Sequence, residues 1–320
     1  MSELLTIFIH NQGRWLSGEQ LAEQLQISRP AVWKQIQKLK QQGYQIASQQ
    51  GLGYQYLGTE NLDQAMIQAA LPSDLAVTIL TFDQLGSTND YSKQYLSQHP
   101  ISQPVVILAD EQTNGHGRLG RSFYAPKTTG LYFSILLPLQ PNEKVIPSLM
   151  TTGTGTAVVR TLRQYFPQTP VQLKWINDIV LNHKKCGGIL TEAITDLESG
   201  QISHLIVGVG LNLSTTEFPD DLQHIAGALT TEPVNRNQLV VQLIQHFFAM
   251  YATYQTGDFL TDYRNFSAIL GREVTIVSGS QTTTGTVIDF DYQGQLVLRD
   301  ADGQVQTINS GEVKLTSGTA

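Results

Sequence analysis

The stretch 111-EQTNGHGRLGRSFYAP-126 sets three glycines, one histidine and two arginines between the apolar run 104-PVVILAD and an aromatic segment closed by Pro126. Gly115-His-Gly117-Arg-Leu-Gly120 satisfies G-x-G-x-x-G after a predicted strand, which is how a dinucleotide-binding α/β unit begins. In such a unit the third glycine opens a helix whose N-terminus receives a pyrophosphate. Here the chain runs into Ser122-Phe-Tyr-Ala-Pro126 and then into another strand, 131-LYFSILLPL, so that fold is not expected. What remains is a loop whose glycines permit close backbone approach and whose Arg118 and Arg121 can face an anion, or else an ordinary glycine-rich surface turn.

Outward from this loop the elements alternate. The runs 77-VTILTF and 104-PVVILAD read as strands, with 87-STNDYSKQYL as a capped helix between them. Strand-like runs return at 131-LYFSILLPL, 173-LKWINDIVL, 186-CGGILTEAI and 204-HLIVGVGLNL, and helical spacing at 148-SLMTTGTGTAVVRTLRQYF and 239-LVVQLIQHFFAMY. This pattern predicts a mixed sheet with packed helices, one catalytic domain spanning 66–265.

Upstream, Ser17-Gly-Glu-Gln20 is a capping box, and Ser28-Arg-Pro30 pairs a capping hydroxyl with a proline in the first turn. Val32, Ile36 and Leu39 form an apolar stripe that leaves Arg29, Lys34, Gln35 and Lys38 on other faces. Two short helices joined by 25-LQIS, followed by a two-strand wing in 44-YQIASQQGLGYQYL, predict a winged helix-turn-helix over 1–60. DNA contact through Ser28, Arg29, Lys34, Gln35 and Lys38 is expected, the alternative being a protein-interaction module or a DNA-binding relic. Residues 57–70 read as a polar joint. Beyond about residue 268 the runs 273-EVTIVSG, 285-GTVIDF, 295-QLVLRD and 304-QVQTI, separated by turns, predict a small β-barrel over 268–320. The fold class is α+β in three domains.

With 320 residues and 41% hydrophobic content, the chain can bury sizeable cores. The net charge of −7 argues against bulk polyanion binding, yet residues 1–50 hold five Lys/Arg against three Glu, a local positive excess. The single cysteine, Cys186, excludes an intrachain disulfide and a cysteine-based zinc site, and the histidines lack metal-ligand spacing. No secretory leader or membrane span is expected, and a reducing cytoplasm fits.

Three further segments carry chemistry. In 174-KWINDIVLNHKKCGGILTE, Asn177-Asp178 lies inside an apolar run, which is costly unless both side chains find partners. Asp178 could bind Mg²⁺ or orient a base, or the pair could mark a surface turn. Lys185 stands before Cys186-Gly-Gly188, where its ammonium could neutralise a carboxylate or phosphate. In 86-GSTND, Ser87, Thr88 and Asn89 either cap a helix or bond a polar ligand, and in 208-GVGLNL the glycines permit tight strand packing or leave room for a ligand ring.

In this order, 86-GSTN, 112-QTNGHGRLGRSFYAP, 174-KWINDI, 185-KCGGILTE and 208-GVGLNL resemble the biotin protein ligase family. The N-terminal module resembles the branch whose members are also biotin operon repressors. The resemblance implies a class II synthetase-like catalytic domain, a C-terminal SH3-like barrel, and a two-step reaction. Biotin and ATP give biotinyl-5'-adenylate and pyrophosphate, and a lysine of a biotin carboxyl carrier domain then displaces AMP.

By that resemblance Ser87, Thr88, Asn89, Gln112, His116, Gly117, Arg118 and Lys185 bind biotin. Gly115, Arg118, Arg121 and Asn177 serve ATP and the adenylate, and Lys185, Arg118 and Asp178 are catalytic. Mg²⁺ shares the triphosphate charge, with Asp178 as a candidate ligand. The glycine-rich loop is expected to pass from disordered to closed over the adenylate, whose binding favours a homodimer on operator DNA. The sequence departs from the family pattern at His116 and Leu119, where arginines are usual, and at Ile176, where proline is usual. A neutral imidazole in place of a guanidinium removes a permanent cation, which weakens the expected grip on ATP or pyrophosphate. The competing readings are a biotin-sensing regulator with weak ligase activity and a lipoyl or octanoyl transferase on the same scaffold.

Overall fold

Capping residues decide where the N-terminal helices begin in the computed structural model of the chain, which describes residues 3–196 and 198–315. The remaining positions, including 316–320 that the sequence reading gave to the barrel, lie outside the described residues. Helix α1 (Glu3–His10) and the short strand β1 (Trp15–Leu16) precede α2 (Gly18–Gln24), where Ser17 and Gln20 close the capping box in both directions. Helix α3 (Arg29–Gln41) starts from Ser28, whose Oγ accepts from the Ala31 amide at 3.4 Å. Between α2 and α3, Gln26 takes φ 53° and turns the chain. Strands β2 (Tyr44–Gln49) and β3 (Gly53–Thr59) form the wing, in a sheet ordered β1-β3-β2. Leu4, Phe8, Leu21, Val32, Ile36 and Tyr56 fill a core of their own beneath it. Helix α4 (Gln64–Ala70) follows.

The central sheet is built from β4 (Thr78–Phe82), β5 (Val105–Ala109), β6 (Gly130–Pro138), β7 (Gln172–Lys174), β8 (Asp178–Leu181), β9 (Lys184–Thr195) and β10 (Ile202–Asn212), in the order β4-β5-β6-β10-β9-β8-β7. Only β4 and β5 are parallel, and helix α5 (Thr88–Gln98) makes the crossover that a parallel pair requires. Every other ladder in the sheet is antiparallel, so the sheet is mixed as expected.

Alternation along the strands sends Val106, Leu108, Phe133, Ile135, Val207 and Val209 to one face. There they pack with α6 (Pro147–Tyr165) and α7 (Arg236–Tyr251). The other face carries Val105, Ile107, Leu136 and Ile206 under the aromatic side of α5, and its middle is kept small by Ser134, Gly208 and Gly210. The run 173-LKWINDIVL is not one strand. Residues 175–177 turn the chain between β7 and β8, because Asn177 and Asp178 find polar partners there that a strand interior would not supply.

Helix α8 (Leu260–Phe266) leads to β11 (Glu273–Ser278), β12 (Gln281–Phe290), β13 (Leu296–Arg299), β14 (Val305–Ile308) and β15 (Glu312–Leu315). These form an antiparallel sheet ordered β14-β13-β12-β11-β15. Two features differ from the expectation: β12 starts four residues earlier than 285, and β15 was not anticipated. The threonine-rich start of β12 is largely exposed and lacks apolar alternation, and β15 is short and charged. The sheet does not stand apart, because Val274, Val287, Phe290 and Leu298 belong to the central core. Trp175 Nε1 donates to Gly294 O at 3.0 Å, and Ser148 Oγ to Gln293 O at 2.6 Å.

The expected polar joint over 57–70 is structured. Strand β3 runs to Thr59, and α4, capped by Asp63, buries Ile67 while Leu62 and Leu71 join the central core. Its apolar residues are few among glutamines and alanines, which hides the helical spacing. The first turn of α7 grips the segment before it. Asn237 donates to Asn61 O at 2.9 Å and accepts from the Asp63 amide at 2.8 Å. Buried Arg236 donates to Glu60 O and Gly130 O, and its guanidinium lies 2.7 Å from the buried Asp110 carboxylate. Tyr44 of the wing donates to the carboxylate of the same Asp63.

Candidate functional site

Ser134, Gly208 and Leu190 lie opposite one another across β6, β10 and β9, on the face of the sheet that carries α5. The glycines here decide the shape of the site. A Cβ on Gly208 would stand 2.2 Å from Asn89 Oδ1, one on Gly210 2.9 Å from the Phe123 ring, and one on Gly188 3.4 Å from Lys185 Nζ. Each missing side chain is thus filled by a polar, aromatic or cationic group of this chain. In 208-GVGLNL both glycines serve close packing.

The N-terminus of α5 enters above this row. Ser87 caps it, and Thr88 and Asn89 are buried. Gln112 Oε1 accepts from the Thr88 amide at 2.7 Å and lies 3.1 Å from Thr88 Oγ1. Ser134 Oγ lies 2.7 Å from Thr88 Oγ1 and 2.6 Å from Asn89 Oδ1. Asn89 Nδ2 donates to Glu192 Oε2 at 2.7 Å, and Lys93 Nζ pairs with Glu192 Oε1 at 2.9 Å. Ser87, Thr88, Asn89, Gln112, His116, Gly117 and Lys185 all line one narrow pocket, with Phe123 and Asn177 on its walls. Of the residues expected to bind biotin, only Arg118 is outside that lining.

The glycine-rich stretch is folded as a hairpin in which backbone groups on its two arms pair. Gln112 N donates to Ala125 O at 3.1 Å, Phe123 N to Gly115 O at 2.8 Å, and Gly117 N to Arg121 O at 2.8 Å. Leu119 at the tip has φ 59° and is 90% exposed, so this departure from the family pattern faces solvent, whereas the one at His116 lines the pocket. His116 Nδ1 lies 3.2 Å from Asn114 O and 3.8 Å from Asp90 Oδ2. Arg118 reaches Asn177 Oδ1 at 3.4 Å. Arg121 makes a two-pronged contact with Glu312 of β15, at 2.8 and 2.5 Å, which ties the hairpin to the C-terminal sheet. That pairing holds the Glu312 carboxyl below its ordinary range and raises the Arg121 guanidinium.

Lys185 Nζ pairs with Asp178 Oδ1 at 2.6 Å, and Asn177 Nδ2 donates to Ile189 O at 3.0 Å, so the two polar residues of 174-KWINDI are both partnered. Lys185 and Phe123 border the narrow pocket and also a neighbouring cavity of about 380 Å³ lined by Arg121, Tyr124, Lys174, Asp178, His183 and Phe218, among others. Such a volume suits a small-molecule ligand. Among the described residues no group of three His, Cys, Asp or Glu could hold a metal ion, and Asp178 already spends one oxygen on Lys185. The described residues thus form no cation cage of protein ligands alone, and Asp178 keeps one carboxylate oxygen outside its pair with Lys185.

The residues expected to touch DNA divide. Ser28 spends its hydroxyl on the helix cap. Arg29 lines a cleft against the wing with Ser48 and Tyr54, whereas Gln35 and Lys38 line a crevice facing α4. Lys34 is exposed. Trp33, one turn along from Arg29 and 55% exposed, was not singled out, and Lys40 donates to Ser48 Oγ of the wing at 3.2 Å.

These three regions correspond to three family models in the same order. The HTH domain matches residues 1–55, the biotin/lipoate A/B protein ligase family matches 81–212, and the biotin protein ligase C terminal domain matches 269–315. The chain belongs to the biotin protein ligase family. Its relatives in this family include the bifunctional ligase/repressor BirA of Bacillus subtilis, 27% identical over 98% of both chains. That of Escherichia coli is 26% identical over 95% of this chain and 94% of its own. Among solved structures, the biotin protein ligase from Aquifex aeolicus in complex with biotin and ATP is 26% identical. It covers 74% of this chain and 98% of its own, with a TM-score of 0.63.

Beside the family motifs stand residues that the sequence reading passed over: Ser134, Glu192, Phe123 and Glu312. Two had a signal. Ser134 is the one aliphatic hydroxyl in 131-LYFSILLPL, and Glu192 the one charge in 186-CGGILTEAI. Phe123 and Glu312 had none, since their roles depend on contacts distant in sequence. Cys186, next to Lys185, takes no part. Burial pushes its thiol up to about 12, which leaves it inert.

Proposed function

We propose that this protein is a bifunctional ligase and transcriptional repressor. It activates biotin with ATP to biotinyl-5'-AMP, transfers biotin to a lysine of a biotin carboxyl carrier protein, and represses biotin genes as an adenylate-bound homodimer on operator DNA. The single observation that carries the reading is the division of the site. Uncharged donors and acceptors at Ser87, Thr88, Asn89 and Gln112 gather in a narrow pocket, and Lys185 stands where that pocket meets a larger cavity. A neutral ureido ring needs the first set, and a carboxylate approaching a phosphate needs the second.

In the first step a carboxylate oxygen of biotin attacks the α-phosphorus of ATP and pyrophosphate leaves. Both partners are anionic, and the Lys185 ammonium, held by Asp178, compensates the charge that builds as the five-coordinate phosphorus forms. Arg118, Arg121, Asn177 and the backbone at Gly115 are our candidates for holding phosphate and adenylate. Mg²⁺ would arrive on the triphosphate oxygens and share their charge, with Asp178 the candidate carboxylate beside it.

In the second step the neutral amine of the carrier lysine attacks the acyl carbon, AMP departs, and the amine proton is released, Asp178 being the candidate to take it. The hairpin over the pocket excludes water from the acyl-adenylate between the steps. On this reading the protein works in the cytoplasm, and Arg29, Lys34 and the flank of α3 toward the wing meet DNA. A biotin-sensing regulator with weak ligase activity is the second reading. It is favoured by Leu119, which turns an apolar side chain to solvent where the family pattern has a cation.

One experiment with two arms tests the proposal. Incubation with biotin, ATP, Mg²⁺ and a carrier domain should add the mass of biotin to one carrier lysine, and Lys185→Ala should abolish the addition. A gel shift at fixed salt should show tighter operator binding with biotin plus ATP than with either alone. An unmodified carrier with the unaltered protein would reject the ligase reading, and an unchanged shift would reject repression.

A further inference from the structure

Helix α4 belongs to two cores at once. Met66 packs with the core of the winged domain, while Leu62, Ile67 and Leu71 belong to the core of the central sheet. The wing lands on the first turn of this helix through two tyrosine hydroxyls. Tyr44, at the start of β2, donates to Asp63 Oδ2, and Tyr56 on β3 donates to Met66 Sδ at 3.1 Å. Their rings lie 6.3 Å apart, centre to centre. Asp63 is held from the other side as well. Its Oδ1 accepts from the Met66 amide at 2.8 Å, and its own amide donates to Asn237 Oδ1 in the first turn of α7 at 2.8 Å. Burial and the neighbouring carboxylate push the Tyr44 hydroxyl above its ordinary range, so it stays a donor to Asp63.

Away from this contact the winged domain and α4 part. A crevice of about 1210 Å³ separates α3 from α4, with Gln35, Lys38 and Gln42 on one wall and Gln64 and Gln68 on the other. Long polar side chains facing one another across such a space set no angle, because each keeps many rotamers in water. A neighbouring contact, Gln45 Nε2 to Glu60 Oε1 at 3.1 Å, joins two exposed side chains of the same kind. A phenol donating to a carboxylate that is itself held does set an angle, since such a bond is strong and directional. Helix α3 shares its core with Tyr44 and Tyr56, so its direction relative to the central sheet follows the tilt fixed at Asp63. In a two-fold dimer that tilt sets the distance and the angle between the two copies of α3. DNA reads both, because each base pair inserted between half-sites turns one against the other by about a tenth of a turn.

We propose that Tyr44, acting through Asp63, is a positioning residue that sets the half-site spacing of the operator. It fixes the tilt of each winged domain, so that a paired site of one spacer length is accepted and neighbouring lengths are rejected. The inference rests on the reading of this chain as a dimeric repressor, and it places a determinant of DNA choice outside the surface that meets DNA.

The test uses the full chain with biotin, ATP and Mg²⁺. A paired site is first selected by the unaltered protein from a pool of random-sequence duplexes, and its spacer is then lengthened and shortened one base pair at a time. In a gel shift at fixed salt the unaltered protein should favour one spacer over its neighbours by about tenfold or more, the scale of a hydrogen bond to a charged group. Tyr44→Phe removes the hydroxyl alone. It should shrink that ratio to about twofold, while binding to a single half-site and carrier labelling stay as they were. Asp63→Ser keeps a cap for α4 but spends its one hydroxyl on it, so it should shrink the ratio too, even if Tyr44→Phe does not fold. The double variant should go no further than either single one, because both remove the same link. An undiminished spacer preference in either variant, or a loss that appears equally on a single half-site, would overturn the inference. If the unaltered protein selects no paired site from the pool, the repressor reading falls and this inference with it.

Discussion

Gly208 has no side chain, and the amide of Asn89 occupies the space where one would be, 2.2 Å from the position of a Cβ. That contact ties a residue on β10 to the pocket-lining end of α5. Gly208→Ala must push Asn89 out of its bonds to Ser134 and Glu192. We expect KM for biotin to rise by roughly a hundredfold or more, on the scale of about 3 kcal/mol for disrupting a buried polar contact. Biotin binding measured by calorimetry within a few-fold of the unaltered protein would show that Asn89 does not face the ligand. At Lys185 the logic is electrostatic. Its ammonium is partnered by Asp178 at 2.6 Å and rests against Gly188, so it is aimed before any substrate arrives.

The hairpin over 112–125 joins the pocket to the C-terminal sheet, since its one arm carries Arg118 toward Asn177 and the other carries Arg121 to Glu312. If it shields the adenylate, Arg118→Gly should shorten the lifetime of the bound intermediate and label bystander lysines. An unchanged rate of biotinyl-AMP release in a pulse-chase would contradict that role. The Arg121–Glu312 pair is largely exposed and worth at most about 1 kcal/mol, so it guides the hairpin without holding the molecule together. Caps and periodicity made most elements legible in the sequence, as at Ser17, Ser28 and Ser87, whose side chains all accept from the first turn they open. Helix α4 was not legible because its buried side is little more than Ile67, and β15 because four residues carry no period. In the site, Ser87, Thr88, Asn89, Gln112 and Lys185 came from motifs. Glu192 and Ser134 emerged only once β6, β9 and β10 were placed side by side, because pairing across strands leaves no trace in local spacing.

Across the whole molecule the C-terminal sheet shares the central core, whereas the N-terminal domain has a core of its own, and the first turn of α7 links the segment that follows the wing to the central sheet. Arg236 is 3% exposed and bridges Glu60 O, Gly130 O and Asp110, which immediately precedes the glycine-rich stretch. Arg236→Met would leave the Asp110 carboxylate buried and unpaired, a loss of about 3–5 kcal/mol of stability. Denaturant melts should show it, and a change within 1 kcal/mol would mean that water reaches Asp110. The same contacts connect the segment that carries the DNA-binding domain to the strand end that enters the hairpin. On the proposed function the narrow pocket and the larger cavity act together across Lys185 to form an acyl-adenylate. Biotin-dependent exchange of labelled pyrophosphate into ATP measures that step alone, without carrier or DNA. Exchange should require biotin and disappear in Lys185→Ala, whereas exchange supported by octanoate or lipoate but not biotin, or no exchange, would mean that the site does not activate biotin.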